Sequence, residues 1–258
     1  MKQFCFTVDD NIRFLRELTA SRPQSMFEHP YLAFYRRLHE KYGLKVQLNL
    51  FWEGGGFDLS QMTDAYRDEW AQNAHWLKLS FHSKAEWPAC PYEASGYDEV
   101  FAECSAVHRE ILRFAGESSL AKTTTIHYCQ STADGLRALR DCGVEGLLGL
   151  FGTDEHPRTS YEVPTEYLGT IRSGEVAVFR GIAMGSLDVI LNEHRPDRAH
   201  ALVEALLPRN YAHIMIHEQH FYPDLSSHSY EFEEKTEDAV ALLCQNGSAP
   251  AFFEEMMQ

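Results

Sequence analysis

Apolar positions along the chain fall into two alternating kinds of segment. Phe4-Cys5-Phe6-Thr7-Val8 is a short, nearly continuous apolar run of buried-strand type, and it leads straight into Asp9-Asp10. Residues 31–41 carry helical spacing that stops at Gly43, and 44–51 read as the next strand. The loop Trp52-Glu53-Gly54-Gly55-Gly56 leads to a helix over 60–73 and a strand over 76–81. Val100, Cys104, Val107, Ile111 and Phe114 then recur every three or four residues, one face of a long helix over 98–115. Residues 123–128 are β-rich, Ser131 opens a helix that closes at Cys142-Gly143, and a strand over 144–151 follows. Residues 152–192 break the rhythm with short β-like pieces at 175–179 and 187–190 among Pro and Gly. Alternation resumes with a helix over 197–207, stopped by Pro208, a strand over 213–217 and a helix over 232–244. Strands alternating with helices of this length predict an α/β fold: one domain over 1–258, a deformed (β/α) barrel of about seven parallel strands, with an irregular β-rich insertion at about 152–192.

Composition fits one sizeable core, since 44% of the 258 residues are hydrophobic. Thirty-eight acidic against 23 basic residues give a net charge of −15, which argues against nucleic acid or an anionic membrane as partner and for a small neutral or cationic ligand. Met1-Lys2-Gln3-Phe4 enters a strand at once, leaving no room for the apolar core of a signal peptide, and no run approaches membrane-spanning length. A cytoplasmic protein is expected. The six cysteines show no C-x-x-C spacing and sit mostly in apolar segments, as reduced core thiols do. A homo-oligomer remains open.

The candidate chemistry lies at the predicted strand ends: Asp9 and Asp10, Trp52 and Glu53, His82 and Glu86, His127 and Tyr128, His217 with Glu218 and His220. In parallel α/β folds sites gather at those carboxyl ends. Asp9 or Asp10 would also serve as an N-cap for a helix begun at residue 11. Two adjacent carboxylates repel, however, and a cation that neutralises one leaves the other free as a base. Imidazole with carboxylate suits one divalent ion, zinc or a first-row neighbour.

These residues carry a resemblance. Thr7-Val8-Asp9-Asp10 resembles the first motif, T-F-D-D, of the polysaccharide deacetylase superfamily, the NodB-homology fold of carbohydrate esterase family four. His82-Ser83-Lys84-Ala85-Glu86 resembles its second motif, H-[ST]-x-x-H, with Glu in place of the final His. Ile214-Met215-Ile216-His217 sits where the family has a late L-x-H strand, and 126–143 occupies the place of its Arg-Pro-Pro-Tyr strand and following helix. The resemblance implies that Asp9 is the general base, that Asp10 binds the metal with His82 and, here, Glu86, and that His217 is the general acid. Glu86 would make a His-Glu-Asp site, more negative and with a less acidic bound water. His127-Tyr128-Cys129 replaces the Arg-bearing motif.

The expected function is metal-assisted hydrolysis of a C–N bond, deacetylase-like or like the intracellular enzymes that open small amides and ring ureides, on a small molecule or short saccharide. Trp52, His127, Tyr128 and Phe151 are the candidate substrate walls. The alternative is a degenerate member of the superfamily that binds a small ligand without turnover. A receiver domain would also pair acidic residues after its first strand, but it is about half this long and needs an Asp where Phe81-His82 stand.

Overall fold

The computed structural model describes residues 1–152 and 159–257. In chain order the elements are β1 (Gln3–Asn11), α1 (Arg13–Ser21), α2 (Pro30–Tyr42), β2 (Val46–Phe51), β3 (Glu53–Gly54), β4 (Phe57–Asp58), α3 (Arg67–Asn73), β5 (Leu77–Ser83), α4 (Tyr97–Phe114), β6 (Thr123–Thr124), α5 (Ala133–Asp141) and β7 (Gly146–Gly149). They continue with α6 (Thr165–Arg172), β8 (Ala177–Phe179), β9 (Ile182–Ser186), β10 (Val189–Ile190), α7 (Pro196–Glu204), β11 (Tyr211–His217), α8 (Phe232–Gln245), β12 (Ala249–Pro250) and α9 (Phe253–Met256).

The expected α/β architecture with parallel strands is present, but among the described residues the sheet does not close into a barrel. The strands β10-β11-β1-β2-β5 form one parallel sheet, with β12 added beside the start of β1. A second sheet runs β6-β7-β9-β8, antiparallel only at the β8–β9 hairpin. The seam between β5 and β6 shows why the ladder stops. Gln47 Nε2 and Ser80 Oγ both donate to the Thr123 carbonyl, at 2.9 and 2.8 Å, and Thr124 Oγ1 donates to the Phe81 carbonyl. Side chains thus take the acceptors that a backbone ladder would use, and of the β-rich stretch 123–128 only two residues remain strand.

The irregular stretch 152–192 holds α6 and joins both sheets: β9 lies parallel to β7, and β10 lies parallel to β11. Residues 153–158 of that stretch lie outside the described residues.

β1 is buried along nearly its whole length, as a central parallel strand flanked by β11 and β2 must be. The predicted stripe on α4 is core: Val100, Cys104, Val107, Ile111 and Phe114 are fully buried. The helix expected over 60–73 is confined to α3, because Asp58 accepts from Ser60 N at 2.9 Å and caps a separate 3₁₀ turn at Leu59–Gln61. Among the described residues no helix is long and apolar enough to cross a membrane.

Candidate active site

Strict alternation along a strand would send Asp9 and Asp10 to opposite faces of the sheet. Two bulges prevent this at the carboxyl ends of neighbouring strands. Between Val8 and Asn11, β1 advances three residues while β2 advances two, from Leu48 to Leu50, and Asp10 takes a left-handed φ of 64°. Asn11 holds the bulge, donating from Nδ2 to the carbonyls of Val8 (2.6 Å) and Asn49 (3.1 Å), while Tyr31 donates its hydroxyl to Asn11 Oδ1 at 2.6 Å. On β5 the register slips again: Leu50 pairs with Phe81 and Phe51 with Ser83, so His82 is the extra residue. Each bulge re-aims one polar side chain into a cavity of about 330 Å³.

Asp10, His82 and His127 meet there, all buried. Asp10 Oδ1 lies 3.1 Å from His82 Nε2 and 3.4 Å from His127 Nδ1, and the two nitrogens are 3.1 Å apart. A tetrahedral ion with bonds of about 2.0–2.1 Å needs ligand atoms about 3.3 Å apart, so the spacing fits zinc-like coordination. Asp10 Oδ1 is buried and faces the two imidazole nitrogens, a position from which one carboxylate oxygen and two ring nitrogens can share a cation.

The outer atoms of all three groups are tied down. His82 Nδ1 donates to the Thr125 carbonyl, His127 Nε2 donates to the Glu86 carbonyl at 3.2 Å, and Gln219 Nε2 donates to Asp10 Oδ2 at 2.9 Å. Because carbonyls only accept, each imidazole presents its other nitrogen to the centre. Phe51 packs against both rings, with centroids 5.3 Å from His82 and 5.1 Å from His127.

The charges are complementary. Burial alone would raise Asp10, but its contacts with His127 and His82 outweigh burial and hold its carboxyl well below the usual range. Burial would lower His82, but the charge of Asp9 and the hydrogen bond and charge of Asp10 raise it to about 9.

Asp9 and His217 share the same cavity. Asp9 is buried, and Asn49 Nδ2 donates to its Oδ1 at 2.6 Å; burial pushes its carboxyl above the ordinary range. Asn49 is itself oriented by Gln47 Nε2, which donates to Asn49 Oδ1 at 2.8 Å. His217 donates from Nδ1 to Asn192 Oδ1 at 2.9 Å, and its Nε2 lies 3.9 Å from Asp10 Oδ2.

Of the expected ligands, Asp10 and His82 lie within ligand distance of each other, together with His127, expected as a substrate wall; Glu86 is not in that group. The chain after Ser83 is non-helical, so the four-residue spacing from His82 to Glu86 is not one helical turn. Glu86 is exposed and contributes its carbonyl, as the anchor of His127, while its carboxylate borders the cavity; burial and the nearby Asp10 charge push its pKa up. Tyr128 lines the cavity, at a left-handed φ of 62°. Trp52 and Phe151 are not among the lining residues: Trp52 packs against the core, and Phe151 is buried there. Glu218, beside His217, caps α1 through the N–H groups of Ile12, Arg13 and Phe14 at 2.8, 3.0 and 2.7 Å. Asn49, Asn192 and Gln219 were missed, because amides in apolar strands or loops carry no spacing signal until the strands are paired.

No protein-family model matches the chain, and no curated protein matches it. Its fold is similar to those of solved polysaccharide deacetylases. A protein from Mycobacterium smegmatis assigned as a polysaccharide deacetylase is similar with a TM-score of 0.59 at 14% identity, over 98% of this chain and 88% of that one. The Bc1960 peptidoglycan N-acetylglucosamine deacetylase is similar with a TM-score of 0.53 at 11% identity, over 98% and 87%. The 4-α-glucanotransferase of Thermococcus litoralis is similar with a TM-score of 0.62 at 14% identity, over 99% of this chain, which spans 40% of that longer protein. At these identities the likeness concerns the fold alone.

Proposed function

We propose that the protein is a metal-dependent hydrolase of a C–N amide bond, deacetylase-like or small-amidase-like, with Asp10, His82 and His127 as the ligands. The observation that carries this reading is the buried Asp10 Oδ1 facing His82 Nε2 and His127 Nδ1 at 3.1 and 3.4 Å. Two nitrogens and one carboxylate oxygen suit zinc or another first-row ion, which when bound polarises the amide carbonyl and acidifies water.

In this reading Asp9 takes a proton from the attacking water, its other oxygen held by Asn49. The water oxygen bonds to the carbonyl carbon, the C–N bond breaks, and His217 Nε2 gives a proton to the leaving nitrogen, so that a carboxylate and an amine are released. Asn192 keeps His217 Nε2 facing the cavity. A short saccharide amide is one fitting substrate, in line with the N-acetylglucosamine deacetylase of similar fold.

Amine release from N-acylated amines, short N-acetylated saccharides and small cyclic amides tests the proposal, with protein stripped by chelator and then reloaded with zinc, cobalt or manganese. Turnover that disappears with the metal and returns with it is expected. Stoichiometric metal with no turnover on the panel would favour the ligand-binding alternative.

A further inference from the structure

A second cavity of about 230 Å³ lies beside the first. Asp10, Glu86 and Gln219 line both, so the two meet where Gln219 donates to Asp10. The second is walled by Ile12, Phe51, Tyr222, Leu225 and the backbone of Gly54 and Gly55. Glu53 and Glu86 border it at the surface, and the heads of Glu218, Arg13 and Arg16 are engaged elsewhere. Glu218 accepts from the N–H groups of α1 and from the Tyr222 hydroxyl, and Arg13 pairs with Glu17 and Asp224, its guanidinium 4.0 Å over the Tyr222 ring. Arg16 donates to the Gly55 carbonyl at 3.0 Å. The loop lies tight on α1: a Cβ at Gly54 would come within 2.8 Å of Ile12 Cγ2, and one at Gly55 within 2.2 Å of Arg16 Nη1.

The catalytic groups give this slot a direction. Asp9 and His217 line the first cavity and not the second. Since His217 protonates the leaving nitrogen, the amine side of the substrate belongs in the first cavity, and the acyl side, across the scissile bond, points past Asp10 into the second. An acetyl group would leave that apolar space without partner atoms.

We propose that the second cavity binds the acyl chain, so that the preferred substrate is an N-acyl amine with an unbranched aliphatic acyl group longer than acetyl. This rests on the hydrolase reading above. Each buried methylene is worth about a fourfold gain in kcat/KM, so an N-hexanoyl amine should exceed its N-acetyl counterpart on the order of 10²-fold. Leu225→Trp, which fills the slot, should collapse the hexanoyl-to-acetyl ratio toward unity. A wild-type series in which acetyl is the best acyl group, or in which a branched or benzoyl group is, overturns the proposal; so does an unchanged ratio in folded Leu225→Trp. An independent measurement needs no turnover: NMR titration of chelator-treated protein with hexanamide and with acetamide. Tighter hexanamide binding with shifts at Leu225 supports the slot even if no amide is hydrolysed, which would count against the reaction alone. Equal binding of the two amides overturns the slot.

Discussion

Metal binding at this site should release a proton and should therefore strengthen steeply with pH. In the metal-free protein the charges of Asp9 and Asp10 overcome burial and hold a proton on His82 up to about pH 9, while a ligand imidazole must be neutral. The sign follows from the raised value. The stabilisation of metal-free protein by protonated His82 is fully present below its ordinary value of 6.5 and is lost as pH rises through about 9. A cation competes with that proton below pH 9 and meets no such competition above it. Between pH 7 and pH 9 the apparent affinity should rise by roughly a hundredfold, about 3 kcal/mol, from this group alone. Calorimetric titration of metal-free protein with zinc at pH 7, in buffers of different ionisation enthalpy, should give about one proton released per ion from His82. The Asp9→Asn variant removes one of the two charges while keeping the three ligands, and should release less. Proton release of zero at pH 7, together with an affinity independent of pH between 7 and 9, would refute the coupling of His82 to the two carboxylates.

Asp9→Asn should keep stoichiometric metal and lose roughly 10² to 10⁴ in turnover, the usual contribution of a general base; paired metal analysis and rate measurement check it, and loss of metal together with activity would make Asp9 a ligand instead. Glu218→Ala strips the cap from α1 and leaves three helix N–H groups without their carboxylate. It should cost about 2 kcal/mol and lower Tm by roughly 4 to 8 °C in a thermal melt, and an unchanged Tm would show that water replaces the cap at no cost.

The parts of this molecule legible in the sequence were those set by local pattern. The run from Phe4 to Val8 could only be a buried strand, and the stripe from Val100 to Phe114 could only be a core-facing helix. Asp9, Asp10, His82 and His217 were placed at strand ends for the same reason, and the structure gathers them in one cavity. The departures arise where one segment's geometry depends on another. The spacing of His82 and Glu86 suggests a helical turn, but the chain leaves β5 in a non-helical path, and an imidazole from the turn after β6 lies with Asp10 and His82 instead. His127 was visible as a strand-end residue, yet its role depends on β5 and β6 being brought together through Gln47, Ser80 and Thr124 side chains. Those same hydrogen bonds stand in place of a β5–β6 ladder, which no periodicity encodes. The bulges at Asp10 and His82 are likewise properties of paired strands, legible only against the register of β2. Helix α6 was hidden because its eight residues, Gly169 among them, sit in a stretch punctuated by Pro and Gly.

The ligand set is tested most directly by metal content, measured by elemental analysis and competitive titration, in two single variants of the zinc-loaded protein. His127→Ala should lower affinity by about 10²-fold or more, since losing a ligand must exceed the 10- to 100-fold typical of changes around one. Glu86→Ala keeps the backbone carbonyl that anchors His127 and should bind zinc within a fewfold of the unaltered protein. Retention of metal by His127→Ala with its loss from Glu86→Ala would contradict the Asp10, His82 and His127 centre.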